Sequence, residues 1–303
     1  MVITTQVIYM PTPKPRSSFF TPLRYPGGKG KIAAFIKEVF EQNDLLDGVY
    51  AEPYAGGAGV ALELLFHEYA RKIVINDVSP HLAAFWRCVL NRTEELCRLI
   101  ADNEVNIKAW RRQKAIHDHP DGHDELELAY ATFFLNRTNR SGILTAGVIG
   151  GKNQDGYWKL DARFNAKDLI QRIEAIANER SRITFVQLDA IQFLREYAKA
   201  MPKKSLVYLD PPYYLKGKDL YTHFYEHDDH VKVAKAVPKF LKGKPWVVSY
   251  DDAAPIHDMY SDFRKIEYTL SYSAQERYQG GEVMFFNDDM QIPSLVAPMR
   301  KAA

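Results

Sequence analysis

The sequence predicts an α/β fold: a mixed, mostly parallel sheet with helices on both faces. Short apolar runs alternate with helical-period segments from Gly48 to Asn76 and again from Ile183 to Leu270, and strand-helix-strand order is the parallel α/β unit with its right-handed crossover. A glycine-rich turn, Ala55 to Gly59, joins the first strand to its helix. With 303 residues, 46% apolar and 26% charged, the chain can bury a sizeable core and is not disordered.

Residues 1–18, where Pro11, Pro13 and Pro15 interleave with Lys14 and Arg16, lack apolar periodicity and read as a loose leader. Ile32, Phe35, Ile36, Val39 and Phe40 then fall at helical spacing within Lys31–Phe40. Strand Gly48–Glu52, the glycine turn, a helix through Val60, Leu64, Leu65 and Tyr69, and strand Lys72–Asn76 follow. Between about Pro80 and Lys167 the alternation stops. Several helices, one ending in Ala129 to Leu135, precede NRTNRSGILTAGVIGGKNQDGYW, whose glycine-bounded pieces predict a hairpin or exposed loops. Strands return at Ile183–Leu188, Ser205–Leu209, Trp246–Tyr250 and Phe263–Leu270, and Glu282–Asn287 is expected last, paired antiparallel. This predicts a discontinuous domain, 19–80 and 168–290, interrupted by an insertion at 81–167 and followed by a tail at 291–303.

The net charge of +2 excludes a wholly basic nucleic-acid coat but conceals segregation: residues 1–40 carry +5, 41–135 carry −7, 136–182 carry +4 and the remainder zero. Two basic segments on one face would line a cleft for a polyanion. Cys88 and Cys97 both sit in helical sequence, which excludes a disulfide scaffold and a zinc cluster. The N-terminus lacks a signal-peptide pattern, and no apolar run nears the ~18 residues of a membrane span, so a cytoplasmic protein with no membrane partner is expected. The histidines of HDHPDGH (His117, His119, His123) match no metal-site spacing and read as an exposed loop.

Strand Ser205–Leu209 runs straight into Asp210-Pro211-Pro212-Tyr213, and in open parallel sheets ligands sit beyond the carboxyl ends of strands. Two prolines remove two N–H donors and leave an acceptor-only rim, the Asp210 carboxylate and nearby carbonyls, complementary to an exocyclic NH₂. Gripping the hydrogens of that amino group frees its delocalised lone pair for attack, and Tyr213 offers a face for an extruded base. The plainer alternative is a rigid strand-ending turn.

Glu52-Pro53-Tyr54-Ala55-Gly56-Gly57-Ala58-Gly59 lets a ligand approach backbone above a helix N-terminus. It is not G-x-G-x-x-G, which disfavours a pyrophosphate loop and with it a nicotinamide oxidoreductase. Asp77 follows Gly56 by 21 residues, near the offset of a ribose-binding acid. An adenosine-bearing cofactor without pyrophosphate, S-adenosylmethionine, fits the pair; a tight turn with Asp77 as a helix cap is the alternative. Pro22-Leu23-Arg24-Tyr25-Pro26-Gly27-Gly28-Lys29, ahead of the first helix, is a basic glycine turn suited to a carboxylate or phosphate. Residues 136–167 carry +4; Arg on a glycine-rich hairpin reaches guanine edges, while Lys and Thr hold phosphates.

These stretches together resemble the Dam-like DNA adenine-N6 methyltransferases, in which PL(R/K)(Y/W)xGGK, an EPFxGGG-like motif, an acid after the second strand and DPPY occur in this order. The resemblance spans about Phe20 to Asn287. It extends to Phe134-Leu135-Asn136-Arg137-Thr138, similar to the family's LNRT stretch, to Asp189, similar to its third acid, and to the run from Leu220-Tyr221 through His227 to His230. It implies a seven-stranded S-adenosylmethionine-dependent methyltransferase sheet, S-adenosylhomocysteine as product, no metal, and methylation of an adenine flipped out of double-stranded DNA. By the resemblance Tyr25, Gly27, Gly28, Lys29, Asp77, Asp189 and Asp210 contact the cofactor, and Glu52, Pro53, Ala55, Gly56 and Gly57 form its floor. Asp210, Pro211, Pro212 and Tyr213 hold the adenine. Residues 81–167 become a mostly helical target recognition domain with a hairpin, in which Asn136, Arg137, Thr138, Asn139, Arg140, Lys152 and Tyr157 meet DNA.

The sequence departs from the family at Asn139-Arg140-Ser141-Gly142, where Gly-Phe-Asn-Gly is common, so no recognition sequence is implied. Ala58 stands where glycine is usual. A bacterial or phage, nucleoid-associated setting and a cognate restriction endonuclease are compatible with the resemblance; monomer or homodimer stays open. So do methylation of cytosine N4 or of an RNA amino group, and a catalytically silent DNA-binding module.

Overall fold

The computed structural model describes residues 20–24, 32–215, 225–273 and 277–301, the side chains of 270–280 excepted. Parallel strands β1 (Gly48–Glu52), β2 (Ala70–Asn76), β3 (Ile183–Val186), β4 (Ser205–Leu209) and β5 (Trp246–Asp251) are joined by β6 (Arg264–Ser273), β7 (Arg277–Phe286) and β8 (Arg300–Lys301). They form one eight-stranded sheet in the order β3-β2-β1-β4-β5-β7-β6-β8, with β7 antiparallel to both β5 and β6. The eighth strand corrects the expected count of seven. Arg300 and Lys301, expected in a tail, pair with Thr269 and Tyr268 at the sheet edge, and two residues leave no apolar alternation to read.

Ten helices accompany the sheet among the described residues: α1 (Ala33–Gln42), α2 (Gly59–Phe66), α3 (Pro80–Asn91), α4 (Thr93–Asp102), α5 (Ile107–Asp118), α6 (Glu125–Thr138), α7 (Ala166–Asn178), α8 (Ala190–Glu196), α9 (His227–Phe240) and α10 (Ala254–Met259). Their starts are written locally. Ser79 caps α3 ahead of Pro80, Asn106 caps α5, Asn165 caps α7, and Asp124 with Glu127 forms a capping box on α6.

Strand side chains alternate between faces, and that alternation separates two cores. Tyr50, Leu206, Tyr208, Val247, Tyr268, Met284 and Phe286 pack with α1, α2, α3, α6 and α7. Ala51, Val207, Leu209, Val248, Tyr250, Val283 and Phe285 pack with α8, α9 and α10.

The limits expected at 81 and 167 fall inside α3 and α7. Phe85, Trp86, Phe133, Phe134 and Leu169 share their core with Tyr50 and Leu64, so the helices between β2 and β3, which pack chiefly on one another, continue the core of the sheet. The expected hairpin reduces to a single antiparallel bridge, Asn139 to Val148. A 3-10 turn at Arg140–Gly142, with Ser141 at φ 55°, interrupts any longer ladder.

Candidate active site

The turn after β1 is built inward from Glu52. Its carboxyl is 5% exposed and accepts from the Tyr50 hydroxyl at 2.8 Å and from the Ala61 amide at 3.2 Å. The N-cap of α2 is Ala58, which offers no side-chain acceptor, so Glu52 serves the orphan amide in its place. Burial pushes the Glu52 carboxyl up to about 8, with Asp210 adding to the rise and the Tyr50 hydrogen bond opposing it; at neutral pH it is a buried acid. Gly56 and Ala58 both take φ 49°, a region where alanine is strained and glycine is not.

Asp77, at the end of β2, braces this turn. Its Oδ2 accepts from the Gly56 amide and its Oδ1 from the Ser79 amide, both at 3.0 Å, whereas the cap of α3 is Ser79 itself. The Trp86 indole donates to the Gly56 carbonyl at 2.9 Å, and Thr21 Oγ1 donates to the Gly57 carbonyl at 2.5 Å. Asn76 Nδ2 ties the Pro53 carbonyl (2.8 Å) to the Leu188 carbonyl (3.0 Å), while Ala55 donates to the Asn76 carbonyl. Next in chain, Asp189 caps α8 through the Ile191 amide at 2.9 Å. Glu52, Pro53, Ala55, Gly56, Gly57, Asp77 and Asp189 are thereby brought to the carboxyl ends of three neighbouring strands. Tyr25, Gly27, Gly28 and Lys29 lie outside the described residues.

Asp210 follows β4 and is half-buried, with Pro211, Pro212 and Tyr213 buried beyond it. Ser249 of β5 donates to Asp210 Oδ1 at 2.8 Å. Tyr213 differs from the expectation of an open stacking face: it is 4% exposed, and its hydroxyl donates to Glu282 Oε1 at 2.8 Å. Asp251 closes the far end, accepting from the Tyr214 amide at 2.7 Å and the Leu215 amide at 2.8 Å. Ser249, Asp251 and Glu282 belong to no motif. Their signal is polarity at alternate positions of otherwise apolar strands, which places them on one sheet face.

The expected DNA contacts divide. Asn136, Thr138 and Asn139 are at most 2% exposed, which removes them from any DNA surface. Asn136 clamps a backbone, accepting from the Arg24 amide at 2.7 Å and donating to the Arg24 carbonyl at 2.6 Å and the Gly142 carbonyl at 2.9 Å. Thr138 Oγ1 donates to the Phe134 carbonyl one helical turn back, and Asn139 Oδ1 accepts from the Trp110 indole. Arg137 is also redirected inward: its guanidinium donates to the Arg163 and Pro22 carbonyls, and burial pulls its pKa down to about 9. These side chains are polar because they tie chain segments together inside the protein. Asn136→Ala should cost roughly 2–4 kcal/mol of stability, since it strands one buried and two half-buried backbone groups; urea unfolding measures it.

Arg140, Lys152 and Tyr157 are exposed, and Trp158 and Lys159 join them. Gln154 supports this loop, donating to the Ile149 carbonyl at 2.7 Å and accepting from the Leu160 amide at 2.8 Å. Gly150, at φ 80°, is obligatory there because a Cβ would lie 2.6 Å from the Trp158 carbonyl. Tyr157 and Trp158 stand edge to face with centroids 5.0 Å apart. Of the three histidines expected in an exposed loop, His117 instead falls in the last turn of α5, buried at 7% exposure and bonded to Asp118, because that helix runs on to Asp118; His123 lies beyond it and bonds Glu127.

Six strands, β1 to β6, run in one direction with β7 inserted antiparallel between β5 and β6, and a glycine turn and acids stand at the carboxyl ends of this mixed α/β sheet. The family model for D12 class N6 adenine-specific DNA methyltransferase matches residues 25–274, and the chain belongs to that family. It is an adenine-specific DNA methyltransferase. No curated protein matches significantly. Among solved structures, the rRNA methyltransferase aviRa from Streptomyces viridochromogenes is 16% identical at a TM-score of 0.41, covering 87% of this chain and 86% of that one. A precorrin-6y C5,15-methyltransferase from Geobacter metallireducens is 10% identical at 0.35, covering 84% and 86%.

Proposed function

We propose that the protein methylates N6 of an adenine flipped out of duplex DNA, with S-adenosylmethionine bound against the β1 turn. The observation that carries this reading is Asp210, half-buried at the end of β4 and oriented as an acceptor by Ser249. The residues present suit the cofactor: a left-handed glycine turn admits close backbone approach, and the acids Asp77 and Asp189 stand at the ends of the adjoining strands. Glu52 to Gly57, Asp77 and Asp189 would hold it, and when bound it supplies an electrophilic methyl group on a cationic sulfur. Asp210 accepts hydrogen bonds from the amino group and draws its nitrogen toward tetrahedral geometry. Methyl transfer would make the nitrogen–carbon bond and break the cofactor's carbon–sulfur bond, and the Asp210 carboxylate would receive the amino proton that leaves. Positioning and electrostatics supply the rate, with no covalent enzyme intermediate.

The DNA-facing surface is assigned to the loop carrying Arg140, Lys152, Tyr157, Trp158 and Lys159. Tyr157 is 88% exposed and Trp158 61%, an aromatic pair among cations suited to stacking on bases beside phosphates. The Arg163 guanidinium stands 5.9 Å from the Trp158 ring centroid. Arg140→Ala and Trp158→Ala should each weaken duplex binding by about tenfold or more while leaving cofactor affinity unchanged, and Arg140→Ala should also flatten the salt dependence; fluorescence anisotropy at several salt concentrations measures both. The function itself is tested by incubating the protein with labelled S-adenosylmethionine and duplex DNA and digesting the product. Label in N6-methyl-2′-deoxyadenosine supports the reading, whereas label in N4-methyl-2′-deoxycytidine, or transfer to RNA alone, overturns it.

A further inference from the structure

We propose that Ser249 and Tyr208 form a one-way chain of hydroxyl donors that positions the Asp210 carboxylate for the amino group. Ser249 Oγ lies 2.8 Å from Asp210 Oδ1, and Tyr208 Oη lies 2.6 Å from Ser249 Oγ. A carboxylate only accepts, so the single Ser249 proton is committed to Asp210. The Tyr208 hydroxyl must therefore donate to Ser249, and the order Tyr208 to Ser249 to Asp210 is forced. Both donors are buried, at 2% and 0% exposure, and hydrogen bonds to a charged acceptor are strong where water is excluded.

The fold makes this chain possible by strand alternation. Tyr208 faces the same core as Tyr50 and Val247, so Ser249, two residues after Val247 on the adjoining strand, shares that face. Burial raises the Tyr208 and Tyr50 hydroxyls well above their ordinary range, which keeps both neutral beside Asp210. Glu52, also on β1, keeps its proton to about pH 8. Tyr268 of β6 is buried in the same core and interacts with Tyr208. Asp210 is thus the carboxylate at which the Tyr208–Ser249 pair is directed, while the Tyr50 hydroxyl is taken by Glu52. Neither Ser249 nor Tyr208 touches substrate in this scheme; both are positioning residues, and their role rests on the reading of Asp210 as the acceptor for the amino group.

The test compares Ser249→Ala, Ser249→Thr and Tyr208→Phe in steady-state methyl transfer, with Asp210→Ala as reference and thermal unfolding as the check on folding. Ser249→Ala should lower kcat by about 10- to 100-fold with KM for DNA and cofactor within about twofold. Ser249→Thr, which keeps the donor, should recover most of that loss, and Tyr208→Phe should lower kcat by a smaller factor. Unchanged kcat in Ser249→Ala, a change confined to KM, or an equal loss in Ser249→Thr of unchanged stability overturns the chain. If Ser249→Ala fails to fold, Tyr208→Phe decides, and wild-type kcat there overturns it. Full activity in Asp210→Ala sinks the amino-acceptor reading itself, a result distinguishable from failure of the chain alone.

Discussion

Asp210→Ala is expected to lower methyl transfer by at least about 10³-fold while the protein stays folded. The carboxylate sits half-exposed at the end of β4, so its removal opens no large cavity. The loss falls on the step in which the amino nitrogen must present a lone pair, because truncation removes the acceptor for its hydrogens. Ser249, which donates to Asp210 Oδ1 in the intact protein, is left beside a methyl group and is then free to donate to the Tyr208 hydroxyl. Asp210→Asn keeps one acceptor oxygen and should retain more activity than Asp210→Ala. The measurement is single-turnover transfer of labelled methyl groups at saturating cofactor and DNA, with circular dichroism confirming the fold; near-wild-type turnover in Asp210→Ala would falsify the assignment.

Glu52 provides the second large effect, in stability. Its carboxyl titrates near 8 in the folded chain against an ordinary value of 4.5, so the folded state holds a proton that the unfolded state releases. The corresponding stabilisation is complete below about pH 4.5 and is lost as pH rises through about 8; the folded state binds more protons across that window, which makes stability fall with rising pH. Glu52→Gln keeps an acceptor for the Tyr50 hydroxyl and the Ala61 amide and removes the titration. The variant should gain on the wild type progressively between about pH 5 and pH 9, by an amount of the order of 3–5 kcal/mol at the upper end. Denaturant midpoints across that range test it, and a difference that does not change with pH would show that Glu52 carries no raised titration.

Much of this protein follows from local pattern. The strands Gly48–Glu52 and Ser205–Leu209 stand where apolar runs place them, and the acids after β1, β2, β3 and β4 fall where strand ends bring them together. What sequence spacing misjudged is the orientation of polar side chains. Asn136, Arg137, Thr138 and Asn139 stand in a polar stretch that reads as a surface, yet they tie Arg24, Pro22, Gly142 and Arg163 together in the interior. Tyr213 reads as an open platform and is buried against Glu282. The short β8 and the lone Asn139–Val148 bridge lie below the length at which alternation becomes visible.

The sequence by itself determined the sheet-and-helix class, the glycine turn, and the acids that gather at one end of the strands, because a strand's register and a turn's glycines are written in consecutive residues. Only the tertiary structure decided which carboxyl is a neutral buried acid, Glu52, which is the oriented acceptor, Asp210, and which polar residues face solvent. Those outcomes depend on burial and on partners far apart in sequence: Ser249 lies 39 residues from Asp210, and Asn136 lies 112 from Arg24. The charge of a carboxyl and the availability of an amide are set by how much water surrounds them, and that is a property of the packed chain.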